Sequence, residues 1–377
     1  MRITRIETLD IRVPLGGLHS DAVNLTDSWG FATVLIYTDT GLVGTGYTGV
    51  ARGAGSELIL ATVRDHYGPL VLGKDPANIR SLHRDLYWSP VHWVGRAGVT
   101  QMALAAVDIA LWDLAAQVAQ KPLCDLLGGT SKTRMPAYNT NGGWLSFTEA
   151  ELADNARETV DAGFSGVKIK LGKPDGREDL RRVQVTRRAL GGSVDLMVDV
   201  NQAWSLEHAR RYGSQLADLE VKWLEEPMDP DDWDAHRRLA RVIDTPIALG
   251  EHLYSARDFR TFADADAVTY LQPDCTRVAG ITEFLVIAEI AASANLPVCP
   301  HAGEMMQVHQ HLVFSAPTAH VFEHIPWGRE LFANPAKLDG GELLRPTEPG
   351  AGTRMIPEVV ERFLVSPVAA VEEGQLA

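Results

Sequence analysis

Three cysteines among 377 residues, at 124, 275 and 299, are too scattered and odd in number for a disulfide framework or a zinc motif. No run of the ~18 uninterrupted apolar residues of a membrane-crossing helix occurs. The N-terminus "MRITRIETLDIRVPL" alternates like a strand, where a secretion signal would carry an apolar block. A cytoplasmic protein with reduced thiols is therefore expected. Basic blocks are missing too: 35 Lys and Arg against 49 Asp and Glu leave a net charge of −14, so neither nucleic acid nor a membrane surface is an expected partner. An anionic substrate would have to be attracted locally. The glycine-rich stretch "GTGYTG" at 44–49 ends a hairpin with no βαβ unit around it, which argues against a dinucleotide fingerprint.

What the sequence does contain is a change of texture. Residues 1–125 read as a strand, a polar loop "GGLHSDAVNLTDSWG", a hairpin turning at Asp39-Thr40-Gly41, and helices near 55–71, 77–88 and 98–119, which make a small α+β domain. The last helix is alanine-rich and apolar on most faces, so it is read as a buried packing helix. Its Asp108 and Asp113 are read as caps or core hydrogen-bonding groups. From 126 to 327 short strands alternate with amphipathic helices. The strands are "MPAYNT", "GVKIKL", "LMVDVN", "VKWLEEP", "PIALGE", "AVTYLQPD", "PVCPH" and "HVFEH". An α/β chain with this beat predicts a closed (β/α) barrel over an open sheet. Residues 328–377, Gly/Pro-rich with one helix "IPEVVERFLV", are expected to return to the first domain and to fray at "VEEGQLA".

Chemistry collects where the strands end. In "GVKIKLG" alternation puts Val167, Ile169 and Leu171 on one face and Lys168 and Lys170 on the other. Asp199, Glu225 and Glu251 close three successive strands at steps of 26 residues. Three carboxylates brought to one place call for a cation, and an all-oxygen set suits Mg²⁺ better than zinc. Asp274 and His301 end the next two strands, 27 residues apart, where the acid can hold the imidazole's Nδ1–H. Glu323 ends the eighth. Each lysine is expected to favour the neutral amine of the other, readying one as a base. The set asks for a substrate carboxylate on the metal, a lysine removing the α-proton, and an enediolate stabilised by the metal, Lys168 and Glu323. His309 and His311, two apart in an apolar helical pattern, are read as packing groups and not as a zinc cluster.

In this order, K-x-K at 168 and 170, D-x-N at 199 and 201, E-E-P at 225–227, G-E at 250 and 251, Q-P-D at 272–274, P-H at 300 and 301 and the glutamate at 323, the chain resembles the mandelate racemase subgroup of the enolase superfamily. The chemistry of that superfamily, a Lys or His base with Mg²⁺, matches the reading of the strand ends. The resemblance implies a modified (β/α)₇β TIM-like barrel (126–327) under an N-terminal α+β capping domain (1–125) completed by the C-terminal segment (328–377), with Mg²⁺ and a homo-oligomer. "LHSDA", "HWVGRAG", "AYNTNGG" and "HVFEHIPW" are similar to acid-sugar dehydratases of the talarate/galactarate type, whereas "HAGEMMQVHQHL" is only loosely so. These stretches supply His19, Arg96 and Asn139, which with Asn201 are the candidate substrate contacts. The implied activity is loss of water from an acid sugar: Lys170 as base, His301 as acid or opposite base, and Glu323 as a hydrogen-bond donor with a raised pKa. A racemase, epimerase or cycloisomerase would use the same residues, and a silent sugar-acid-binding homologue would keep only the fold.

Overall fold

The computed structural model describes residues 1–129 and 131–373. β1 (Ile3–Ser20), β2 (Leu25–Thr38) and β3 (Val43–Ala51) form an antiparallel meander. The stretch expected as a polar loop is instead the far end of the β1–β2 hairpin. After a register shift beyond Pro14, His19 still pairs with Thr26 and Ser20 with Leu25. Asp21 closes the turn, its Oδ1 accepting from the N–H groups of Val23 at 2.8 Å and Asn24 at 2.6 Å. Such side-chain mimicry of a backbone turn lets a polar sequence hold hairpin geometry.

The helix Val99–Val118 is buried along most of its length and packs against β3. A Cβ on Gly44 would meet the Ala110 carbonyl oxygen at 2.2 Å, and one on Gly46 that of Ala106 at 1.9 Å. The glycines of "GTGYTG" therefore serve a close strand–helix approach. Asp108 accepts from the Thr282 N–H (2.9 Å) and hydroxyl (2.6 Å), tying this helix to the first turn of Ile281–Ser293. Asp113 accepts from the N–H groups of Thr45 (3.0 Å) and Ala351 (2.7 Å) and from Gln117 Nε2 (2.8 Å). Both acids do the structural work expected of them.

The barrel follows. β4 (Arg134–Asn139), β5 (Gly166–Lys170), β6 (Asp195–Asp199), β7 (Val221–Glu225), β8 (Ile247–Leu249) and β9 (Tyr270–Leu271) are parallel neighbours in order, and β10 (Phe322–His324) pairs with β4 to close the ring. The expected strand "PVCPH" is reduced to bridges from Val298 to Leu271 and to Ala319. Pro297 and Pro300 flank it and can donate no ladder hydrogen bonds. Seven helices lie between these eight positions, from Glu149–Asp161 to the single turn His309–Leu312, which is the (β/α)₇β pattern. Tyr138, Met197, Trp223, Ala248, Cys299 and Val321 fill the barrel interior.

The last segment does more than return to the first sheet. β11 (Leu338–Asp339) and β12 (Glu342–Leu344) add an antiparallel hairpin to β4 before the chain goes back, through the helix Pro357–Phe363, to β13 (Ala369–Glu372) along β1. The start of "VEEGQLA", expected to fray, is thus paired, because Val371 and Glu372 complete the edge of the capping sheet. Residues 374–377 lie outside the described residues.

Candidate active site

The alternation in β5 places Val167 and Ile169 in the core between barrel and helices and sends the lysines inside, Lys168 1% and Lys170 7% exposed. Lys168 Nζ stands 2.6 Å from Glu225 Oε1, 2.9 Å from Glu323 Oε1 and 3.9 Å from Asp199 Oδ2. Lys170 Nζ pairs with Asp199 Oδ2. Across the mouth, His301 Nδ1 lies 3.0 Å from Asp274 Oδ2 and Nε2 lies 2.6 Å from Glu251 Oε2. Asp274 is itself fixed, its Oδ1 accepting from the Thr276 N–H and hydroxyl, both at 2.8 Å. Asp274 therefore holds His301 as its spacing predicts.

Electrostatics corrects two expectations. Burial disfavours both ammonium groups, but Glu225 and Glu323 around Lys168, and Asp199 beside Lys170, outweigh it and raise both pKa values above the ordinary lysine range. The lysines are held charged, the push of Lys168 on Lys170 toward the neutral amine being outweighed by Asp199. Glu323 is expected from the sequence to be a donor with a raised pKa. Burial would raise it, yet the charges of Lys168 and His301 and the hydrogen bonds from Lys168 and Thr140 bring it down to about 2. Thr140 Oγ1 donates to it at 2.7 Å, and the Ala302 N–H donates to its other oxygen, so Glu323 is an ionised acceptor. Against burial, Glu251 and Asp274 raise the pKa of His301 to about 10.

Lys168, Lys170, Glu251, His301, Glu323, Asn201 and His19 all line a cavity of about 390 Å³ between the capping hairpins and the barrel mouth. His19 sits against Trp144 and Trp327, with ring centroids 5.4 and 5.2 Å away. Two candidates do not reach it. Arg96 is exposed on the loop before Val99–Val118. Asn139 turns outward: Nδ2 donates to Thr159 Oγ1 at 3.0 Å and Oδ1 accepts from the Asn141 N–H at 3.0 Å. Strand parity explains this, since Tyr138 faces the barrel interior and the next inward position belongs to Thr140. Sequence reasoning misses Thr140, Trp144, Arg277 and Trp327. For Thr140 a signal exists, its place two residues past Tyr138 at a strand end. His309 and His311 are buried as read, Nε2 of His309 accepting from the Cys275 N–H at 3.0 Å and Nδ1 of His311 from that of Cys124 at 3.4 Å.

The donor set suits a hard divalent cation. Asp199, Glu225 and Glu251 are buried carboxylates, and Asn201 Oδ1 is buried with no partner. All are oxygen ligands. Each acid is paired to an ammonium or imidazole, and the three are not drawn as close as Glu226, Glu251 and His252, whose ligand atoms lie within 4.8 Å of one another.

The pattern described as "Mandelate racemase / muconate lactonizing enzyme, N-terminal domain" matches residues 12–128, and "Enolase C-terminal domain-like" matches 151–359. The chain is 37% identical over 303 residues, 80% of its own length and 75% of the relative's, to L-talarate/galactarate dehydratase of Salmonella typhimurium. It is 33% identical over 371 residues, 96% of this chain and 99% of the relative, to 3,6-anhydro-alpha-L-galactonate cycloisomerase of Streptomyces coelicolor. The Salmonella typhimurium dehydratase structure superposes with a TM-score of 0.92 at 33% identity, covering 99% of this chain and 94% of that one. L-talarate dehydratase from Polaromonas sp., complexed with Mg and L-glucarate, gives 0.88 at 35% identity, covering 98% and 99%. The chain belongs to the mandelate racemase subgroup of the enolase superfamily. It is a lyase of the hydro-lyase kind with Mg²⁺ as its cofactor.

Proposed function

We propose that this enzyme removes the proton α to the carboxylate of an acid sugar and expels the β-hydroxyl as water, giving a 2-keto-3-deoxy acid, with galactarate, L-talarate or a related sugar acid as substrate. One observation carries the reading: Lys170 and His301 reach a single cavity from different strands, each paired to one of the expected metal-ligating acids. Asp199, Glu225 and Glu251 would hold Mg²⁺, with Asn201 beside them. Bound there, the cation would stabilise the charge that builds on the substrate carboxylate as the α-proton leaves.

The chain's own residues account for the proton movements. Lys170 Nζ takes the α-proton once it is relieved of Asp199 and holds a free electron pair. Lys168, held by Glu225 and Glu323, places a fixed positive charge at the developing enediolate. His301, kept protonated by Glu251 and Asp274, donates from Nε2 to the leaving hydroxyl once Nε2 is released from Glu251. Glu323 acts as an ionised acceptor that aligns Lys168 and the Ala302 N–H. The capping hairpins enclose the site and reduce access of water.

The near full-length match to a cycloisomerase favours a second reading, in which the same enediolate collapses without loss of water. Screening mono- and dicarboxylic sugar acids for 2-keto acid formation tests the first reading. Turnover to isomers with no keto acid from any member of the panel would replace it with the second.

A further inference from the structure

The cavity has two unlike walls. The barrel wall carries Lys168, Lys170 and His301, and the capping wall is built by the ends of β1, β2 and β3. Among the described residues on the capping wall, the permanently charged cation is Arg52, one residue beyond β3. Its backbone is held, with φ at 55° and its N–H donating to the Ser28 carbonyl at 2.9 Å. Its guanidinium is not tightly committed: Nε and Nη2 reach the Asp27 oxygens at 3.4 Å each, with both side chains about half exposed. A pair of that kind is weak and exchanges partners readily. Arg277, also on the cavity, stands on the barrel side, where Nη1 donates to the Glu251 carbonyl at 3.1 Å and Nε is buried without a hydrogen-bond partner. Asp21, the acid on the capping wall, has both oxygens occupied within its own turn. Both ring nitrogens of His19 and the Nε1 of Trp144 are buried without partners, although both residues line the cavity.

We infer that Arg52 binds a second carboxylate at the far end of the substrate, so that the site prefers dicarboxylic sugar acids to the matching monocarboxylic ones. The inference rests on the proposed function for the orientation of the substrate, with its reacting carboxylate at the lysines. A guanidinium offers a planar fork that matches a carboxylate in two parallel hydrogen bonds, which a terminal hydroxymethyl group cannot return. His19 and Trp144 supply polar contacts for the hydroxyls between.

The test is binding, measured by calorimetry with Mg²⁺ present in a Lys170→Ala protein that does not consume its ligand, using galactarate and galactonate as probes. Galactarate is expected to bind on the order of tenfold tighter, as for a hydrogen bond to a charged group. Arg52→Gln should bring the two affinities to within about twofold, and Arg52→Lys should keep part of the preference because the charge stays. No preference for galactarate with Arg52 present, or an Arg52→Gln variant that keeps the preference, would overturn the inference. Failure of the dehydratase reading would look different: wild-type protein would form no 2-keto acid while the binding preference followed Arg52.

Discussion

Lys168 and Lys170 share a strand face but have different partners, and the difference predicts different phenotypes. Lys168 is fixed between Glu225 and Glu323, whereas Lys170 pairs with Asp199 alone. Lys170→Ala should lower turnover by about 10²–10⁴-fold, the usual worth of a positioned base, and should stop α-proton exchange with D₂O, followed by NMR. Normal exchange on every accepted substrate would remove it from the mechanism. Asp274→Asn keeps the shape but removes the charge that holds His301, and loss of such an orienting partner is expected to reduce kcat by about 10–100-fold. Steady-state kinetics on the purified variant checks this. At this scale the sequence is readable where geometry is periodic. "KIK" announces two inward lysines because a strand repeats every two residues. Asn139 fails as a substrate contact because the same alternation, counted from Tyr138, selects Thr140. The position of Glu323 is legible but its ionisation is not, because the groups that lower its pKa, Lys168, His301 and Thr140, come from other parts of the chain.

Between elements, single polar side chains carry the joints. Asp113 accepts from β3, from the C-terminal segment and from its own helix. Asp113→Asn must set an amide N–H₂ against at least one of those donors and should cost about 1–3 kcal/mol in urea unfolding. His311 gives a pH signature. Burial, only partly opposed by Asp125, takes its pKa down to about 3. The folded state therefore refuses a proton that the unfolded chain, titrating near 6.5, accepts, so stability is lost as pH falls below about 6.5. His311 alone should contribute about 2 kcal/mol to the loss between pH 7.5 and pH 5, so the loss should be smaller by about that amount in His311→Gln, which does not titrate there. Urea melts of both proteins at the two pH values decide the matter. The eight-strand beat, the packing helix and its two structural acids are legible because hydrophobic period and turn chemistry are local. The hairpin around Asp21 is not, because its pairing follows a register shift that a Gly-rich, polar sequence does not advertise.

At the scale of the whole molecule, the site exists because two units face each other across one cavity. The barrel supplies acids, lysines and imidazole, and the capping sheet supplies His19 and Arg52. The motifs on the barrel strand ends can be read from spacing alone, whereas the stack of Trp144 on Trp327 at 4.8 Å, made by the segments that follow β4 and β10, depends on the folded arrangement. Removing Mg²⁺ with chelator, or making Glu251→Gln, should abolish turnover with the fold intact by circular dichroism, since the first leaves the buried acids without their cation and the second takes away one of its ligands. The most direct measurement is NMR of wild-type protein with Mg²⁺ and a panel of hexaric and hexonic acids in D₂O. The account predicts a 2-keto-3-deoxy acid that carries solvent deuterium at C3 and is absent when chelator is in excess. Epimerised or cyclised acids with no 2-keto product across the panel would contradict it.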